Sequence, residues 1–177
     1  SEYVRALDVG KGEHIPTLEE ALALLRGRAL VNIDQKTDNL APQLLRVIDR
    51  VSRRDEIMLS GAARRTFAQM RELAPEVRIA CSLDAEWHDA PRIAAARWTA
   101  AGARGEAGRI IGRARAVQAD SLALDWRLAG PRVTAYCKQA GFRVLTWTVD
   151  DLPTMRALRA AGVDGITSNR PDLLMQV

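Results

Sequence analysis

Lysine is nearly missing from this sequence. Lys11, Lys36 and Lys138 are the only three among 26 cationic side chains, and all the others are arginine. Histidine (His14, His88) and cysteine (Cys81, Cys137) occur twice each, and aromatics make up 5% of the chain. Cys81 lies in an apolar, strand-like run and Cys137 in a helical one. Neither has metal-ligand spacing, so the pair fits a reducing, cytoplasmic location. A nucleic-acid-binding face needs basic residues gathered with aromatics or in a known motif. Here Arg46, Arg50, Arg53 and Arg54 follow helical faces among apolar residues, the pattern of solvated helices, and no nucleic-acid partner is expected. No apolar run is long enough for a membrane span, and the first residues carry no leader pattern of basic then apolar residues.

What is present fits a soluble globular chain. Of 177 residues, 47% are apolar and 27% charged, with a formal charge of +4, a pI near 9.6 and a mean hydropathy of −0.15. That apolar content supports one substantial core, so residues 1–177 are expected to form one domain.

Apolar periodicity alternates short strands with longer helices. Strands are expected at 29–34, 56–61, 78–83, 121–126, 143–149 and 164–168. Between them, "PQLLRVIDRV" places Leu44, Leu45, Ile48 and Val51 on one helical stripe, and "RTFAQMREL", "PRVTAYCKQA" and "LPTMRALRAA" repeat the logic. Thr17 with Glu20 three residues on is a capping-box signature, and Gly141 and Gly162 stand where helix C-caps belong. The Ala-, Gly- and Arg-rich connection 85–120 reads as two helical pieces. Regular alternation predicts a parallel sheet covered by helices, in six β/α units. A complete barrel of eight units takes about 250 residues, so the expectation is a TIM-type β/α barrel that is incomplete in this chain.

Residues two apart in a strand share a face. Asn32, Asp34 and Lys36 therefore point one way, and Val31, Ile33 and Gln35 the other. Polar groups also end the other strands: Ser60, Asp84, Asp125, Asp150, and Ser168 with Asn169. Sites in β/α folds assemble at that edge. There a carboxylate could hold a hard cation and an ammonium a phosphate, while the plainer reading of Asp34 and Lys36 is a structural ion pair. For Asp84 and Asp125 the expected role is capping. On composition Trp147 is a core residue, and His14 and His88 read as surface residues in polar loops.

Four passages in this order, "IPTLEEAL", "VNIDQK", "VLTWTVDD" and "AAGVDGITSNRPDLL", resemble the C-terminal two-thirds of glycerophosphodiester phosphodiesterases. The corresponding passages there look like IPTLEE, NIEIK, VWTVN and GVDGIITDRP, and "VRALDVG" resembles the stretch before IPTLEE. The resemblance implies a TIM-type barrel that hydrolyses a small-molecule glycerophosphodiester to glycerol 3-phosphate and an alcohol, aided by magnesium or calcium. On it, Asp34 matches the metal-binding glutamate, one methylene shorter. Lys36 matches the catalytic lysine that balances phosphate charge, and Trp147 the tryptophan that walls the glycerol moiety.

The departures concern chemistry. The family's HRG motif, its pair of acidic metal ligands and its HD motif are absent from this sequence, and neither His14 nor His88 sits at a matching position. Gln35 stands where the family has an apolar residue, and Asn169 where it has Asp. In the intact family site one histidine activates the nucleophile and the other protonates the departing alkoxide, each such group contributing about 10²–10⁴-fold. Without them this chain is expected to be severely impaired in cleavage even where it binds ester. Two alternatives remain: a non-catalytic binding or assembly module on the same scaffold, and another phosphate-binding β/α-barrel enzyme, since "AAGVDGI" also suits a phosphate loop. The incomplete sheet should carry an open edge, to be covered by a second copy of the chain, by residues outside it, or by rearranged helices.

Overall fold

The computed structural model describes residues 2–5, 7–61 and 63–177, except for the side chains of Glu2, Arg5 and Trp87. After α1 (Glu2–Arg5) and α2 (Leu18–Leu25), strands and helices alternate: β1 (Val31–Gln35), α3 (Ala41–Val51), β2 (Ile57–Gly61), α4 (Arg64–Leu73) and β3 (Arg78–Leu83). Next come α5 (Ala90–Trp98), α6 (Ala100–Ala116), β4 (Ser121–Asp125), α7 (Pro131–Gln139), β5 (Arg143–Trp147), α8 (Leu152–Ala160), β6 (Gly165–Ile166) and α9 (Pro171–Leu174).

All pairings are parallel and the strand order is the chain order, β1 to β6. Order without a reversal leaves no switch point of the doubly wound kind, so the sheet curls one way with its helices outside. The register steps as a closing sheet requires. β3 meets β4 only from Ala80 onward, and β5 meets β6 only from Leu145. Among the described residues, the outer edges of β1 and β6 pair with no strand. The result is a curled half-barrel, as the six-unit count predicts.

The outward faces make the core. Ile57, Leu59 and Ile79 meet Leu44, Leu45 and Ile48 of α3 and Phe67 and Met70 of α4. Leu122, Leu124 and Val144 meet Ala103, Ala107, Ile110 and Ala114 of α6, together with Val133, Cys137, Met155 and Leu158. The alanines Ala103, Ala107 and Ala114, four and seven residues apart on one face of α6, let that helix lie close to the sheet. Each large side chain so buried contributes about 1.5–3 kcal/mol. The capping box forms as expected: Glu20 N–H donates to Thr17 Oγ1 at 3.2 Å, and Thr17 N–H to Glu20 Oε2 at 2.7 Å.

The loop leaving β1 is tied down where it matters. Asp38 Oδ1 accepts from Thr66 N–H at 2.8 Å and from Thr66 Oγ1 at 3.1 Å, so it closes the start of α4. Leu40 N–H returns a bond to Thr66 Oγ1 at 3.0 Å. The bonds that Asp38 accepts, Thr66 N–H foremost, hold its carboxyl below the usual range. Lys36 thus leaves the sheet on an anchored loop.

Candidate functional site

The inner face of the half-barrel encloses a cavity of about 670 Å³. Its floor is apolar, with Met58, Ala123, Leu145 and Ile166. Asn32 lies level with Met58, and the mouth, at the C-terminal ends of the strands, is polar, with Asp34, Lys36, Ser60, Ser82, Asp84 and Thr167. Strand alternation sends Asn32, Asp34 and Lys36 inward, as the sequence predicts.

Lys36 Nζ lies 2.6 Å from Asp34 Oδ2, with the two side chains 83% and 47% exposed. The Asp34 hydrogen bond, then its charge, raises the Lys36 pKa, and the Asp84 charge adds to this. Lys36 is therefore a fixed cation at neutral pH. Asp34 Oδ1 is 3.5 Å from Ser60 Oγ, a long contact, and Ser82 Oγ accepts from Gly61 N–H at 2.9 Å. Trp147 lies half-buried along the wall, its ring N–H bonded to Ala123 O at 3.0 Å, so the indole shows the cavity an apolar surface.

The remaining sequence candidates divide. Of the helix or loop capping expected for Asp84, no helix cap forms among the described residues, and the side chain lines the mouth, exposed. Asp125 does cap: it is buried and accepts Arg127 N–H at 2.9 Å, while the Arg127 guanidinium lies 2.6 Å from its Oδ2 and also reaches Ala85 O at 3.0 Å. Its carboxylate is closed off from the cavity. Neither histidine lines the cavity. His14 pairs with Asp8 in an isolated bridge, and His88 Nε2 lies 3.7 Å from Asp89 Oδ1.

At the rim, Asp150 accepts from Asn169 Nδ2 at 3.0 Å, Asn169 N–H at 2.7 Å and Ser168 Oγ at 3.0 Å. These donors, the Asn169 side chain first, hold its carboxyl below the usual range. Asn169 by itself departs from the ITDRP pattern. Asp150 stands where VWTVN has Asn and Asn169 where ITDRP has Asp, and in this structure the two side chains are bonded to each other. A single-position comparison misses this, whereas the two motifs read together carry the signal.

Gln35 lies on the outward face, 6% exposed, and neither amide atom has a partner among the described residues. An unpaired buried amide costs about 1–3 kcal/mol. Gln35→Met, close in volume and free of the amide, should therefore raise stability by about 1 kcal/mol, read from the urea midpoint at unchanged slope.

The family resemblance implies a divalent cation held by carboxylates. Among the described residues no group of three His, Cys, Asp or Glu side chains converges to hold one. Asp34, the one residue matching a family ligand, faces an ammonium group. These residues do not fit a resident cation.

Strands wound in chain order around a polar mouth define a barrel-type β/α protein with its site at the C-terminal edge. A glycerophosphodiester phosphodiesterase from Caldanaerobacter subterraneus is 25% identical over 193 residues, spanning 99% of this chain and 70% of the relative. A relative from Mycobacterium tuberculosis is 31% identical over 182 residues, spanning 98% of this chain and 64% of its own length. The fold is shared with an Oleispira antarctica phosphodiesterase solved with the product sn-glycerol 3-phosphate, at a TM-score of 0.74 and 19% identity, over 99% of this chain and 68% of that one. The model of the glycerophosphoryl diester phosphodiesterase family matches residues 2–173, and the chain belongs to that family. The narrower expectation, a correspondence with the C-terminal two-thirds of the family, is not borne out by these matches, which give the extent of the shared span and not its end.

Proposed function

We propose that residues 1–177 form the ester-binding part of a phosphoric diester hydrolase acting on glycerophosphodiesters. Family membership and the activity named for the relatives support the reaction class. The observation that carries the reading is convergence: Lys36 from the end of β1 and Trp147 from the end of β5 line one cavity. The Lys36 ammonium receives the phosphate, and the indole surface of Trp147 packs against the glycerol carbons. No histidine of the described residues lines that cavity, so the proton transfers that such groups accelerate by about 10²–10⁴-fold lack their donor and acceptor here. Binding should thus exceed turnover.

Titration with sn-glycerol 3-phosphate, followed by tryptophan fluorescence and calorimetry, tests the reading. Lys36→Ala should weaken binding at least about tenfold, the loss of one charge-assisted hydrogen bond. Trp147→Ala should weaken it severalfold. Unchanged affinity in Lys36→Ala refutes the reading. Thermal protection by a cyclic sugar phosphate but by no glycerophosphodiester would transfer the site to another class of phosphate-handling barrel.

A further inference from the structure

A hard cation needs oxygen donors free to face it. Calcium takes six to eight, and magnesium uses near-octahedral geometry with one or two carboxylates beside substrate oxygens and waters. The mouth offers two carboxylates, Asp34 and Asp84. Asp34 already has an ammonium 2.6 Å from one oxygen and a hydroxyl 3.5 Å from the other. Lys36 is two residues along the same strand end and shares the face of Asp34. The pairing is local, needs no other element, and re-forms whenever the side chain returns. A lysine stands at the same spacing from the metal-binding glutamate in the NIEIK passage, so the pair alone does not exclude an ion; here Asp34 is one methylene shorter, its carboxylate is held by Lys36, and among the described residues no group of three His, Cys, Asp or Glu side chains converges to share the ion.

We infer that the mouth of residues 1–177 takes up a phosphate ester without a divalent cation of its own, Lys36 passing from Asp34 to the ester as the ligand arrives. The exchange is sterically free, because the Lys36 side chain is 83% exposed and no packing holds it. Asp34 then becomes a competitor: it keeps Lys36 when the site is empty and repels the anion when the site is full. This rests on the proposed ester-binding role of Lys36 and assigns its counter-ion. A cation-ligating Asp34 predicts the opposite sign for its removal.

Asp34→Asn keeps the shape and removes the charge, so it tests that sign. With sn-glycerol 3-phosphate as titrant, the variant should bind about three- to tenfold more tightly than the wild type. Wild-type affinity should agree within about twofold in magnesium, calcium and EDTA. With no ester present, manganese(II) monitored by electron paramagnetic resonance should show no stoichiometric site on the wild type. A stoichiometric manganese site that Asp34→Asn abolishes would overturn the inference. So would an ester affinity that requires the cation and falls in Asp34→Asn. If no protein form binds the ester, the proposed function fails, and the manganese measurement alone then decides the cation question: a site overturns the inference, none sustains it.

Discussion

Glu106→Ala will lower the unfolding free energy by about 2 kcal/mol, because it removes the buried carboxylate that two part-exposed arginines bond. Glu106 is carried on α6 with its side chain 1% exposed. It accepts from Arg92 Nη1, across the α5–α6 interface, and from Arg109 Nη2 one turn along at 2.6 Å. Arg92 also pairs with Asp89, so truncation strands Arg109 most. Burial pushes the Glu106 carboxyl up, but its bonds to Arg109 and Arg92 together with their charges outweigh this, and the group stays below the usual carboxylate range. Its folded pKa is thus below the unfolded one. The stabilisation is complete above the unfolded value, near 4.3, and disappears as pH falls through the folded value. Urea midpoints for wild type and variant should differ most at neutral pH and converge below about pH 4. A pH-independent gap would assign the loss to the cavity left by the side chain. A gap below about 0.5 kcal/mol would show that α5 and α6 are held by apolar contact alone.

Much of this architecture is legible in the chain because its local signals agree with its tertiary needs. The strand expected at 78–83 forms over Arg78–Leu83, and those at 56–61 and 121–126 each shift by one residue at one end. The last strand, expected over five residues, shortens to Gly165–Ile166. Beyond it the backbone bonds continue differently, Thr167 N–H to Thr146 O and Val149 N–H to Thr167 O, since the chain bends there to seat the Asp150 rim. Gly141 and Gly162 follow α7 and α8 at φ of +90° and +85°, where a left-handed residue ends a helix. The site was legible as far as alternation reaches: Asn32, Asp34 and Lys36 fall on one side because the strand period is two. Distances across strands leave no such trace. Asp84 lies 50 residues beyond Asp34 and joins the mouth only through the β1–β2–β3 register. The side of Gln35, shared with Val31 and Ile33, was legible from the same alternation, but the lack of a partner for its buried amide was not.

Gly61→Ala should cost about 3 kcal/mol and should also cost the mouth its ligand. Gly61 ends β2 at φ +119°, opposite Gln35 in the β1 register. A methyl group there would stand 2.4 Å from Gln35 O and 3.3 Å from Asp34 Oδ1. The positive φ alone costs an alanine about 1–2 kcal/mol, and a backbone oxygen, unlike a side-chain tip, cannot turn away. Relief requires the end of β1 to move off β2, and that end carries Asp34 and Lys36. Affinity for sn-glycerol 3-phosphate should therefore fall more than about tenfold at temperatures where the variant remains folded by circular dichroism. Gly141→Ala supplies the comparison. Its φ is +90°, but no heavy atom lies within 4 Å of the added carbon, so it bears the conformational cost without the collision and leaves ester binding intact. Equal stability losses at the two glycines, with binding unchanged in both, would mean that the two strand ends are not in close contact and that β2 does not set the position of Lys36.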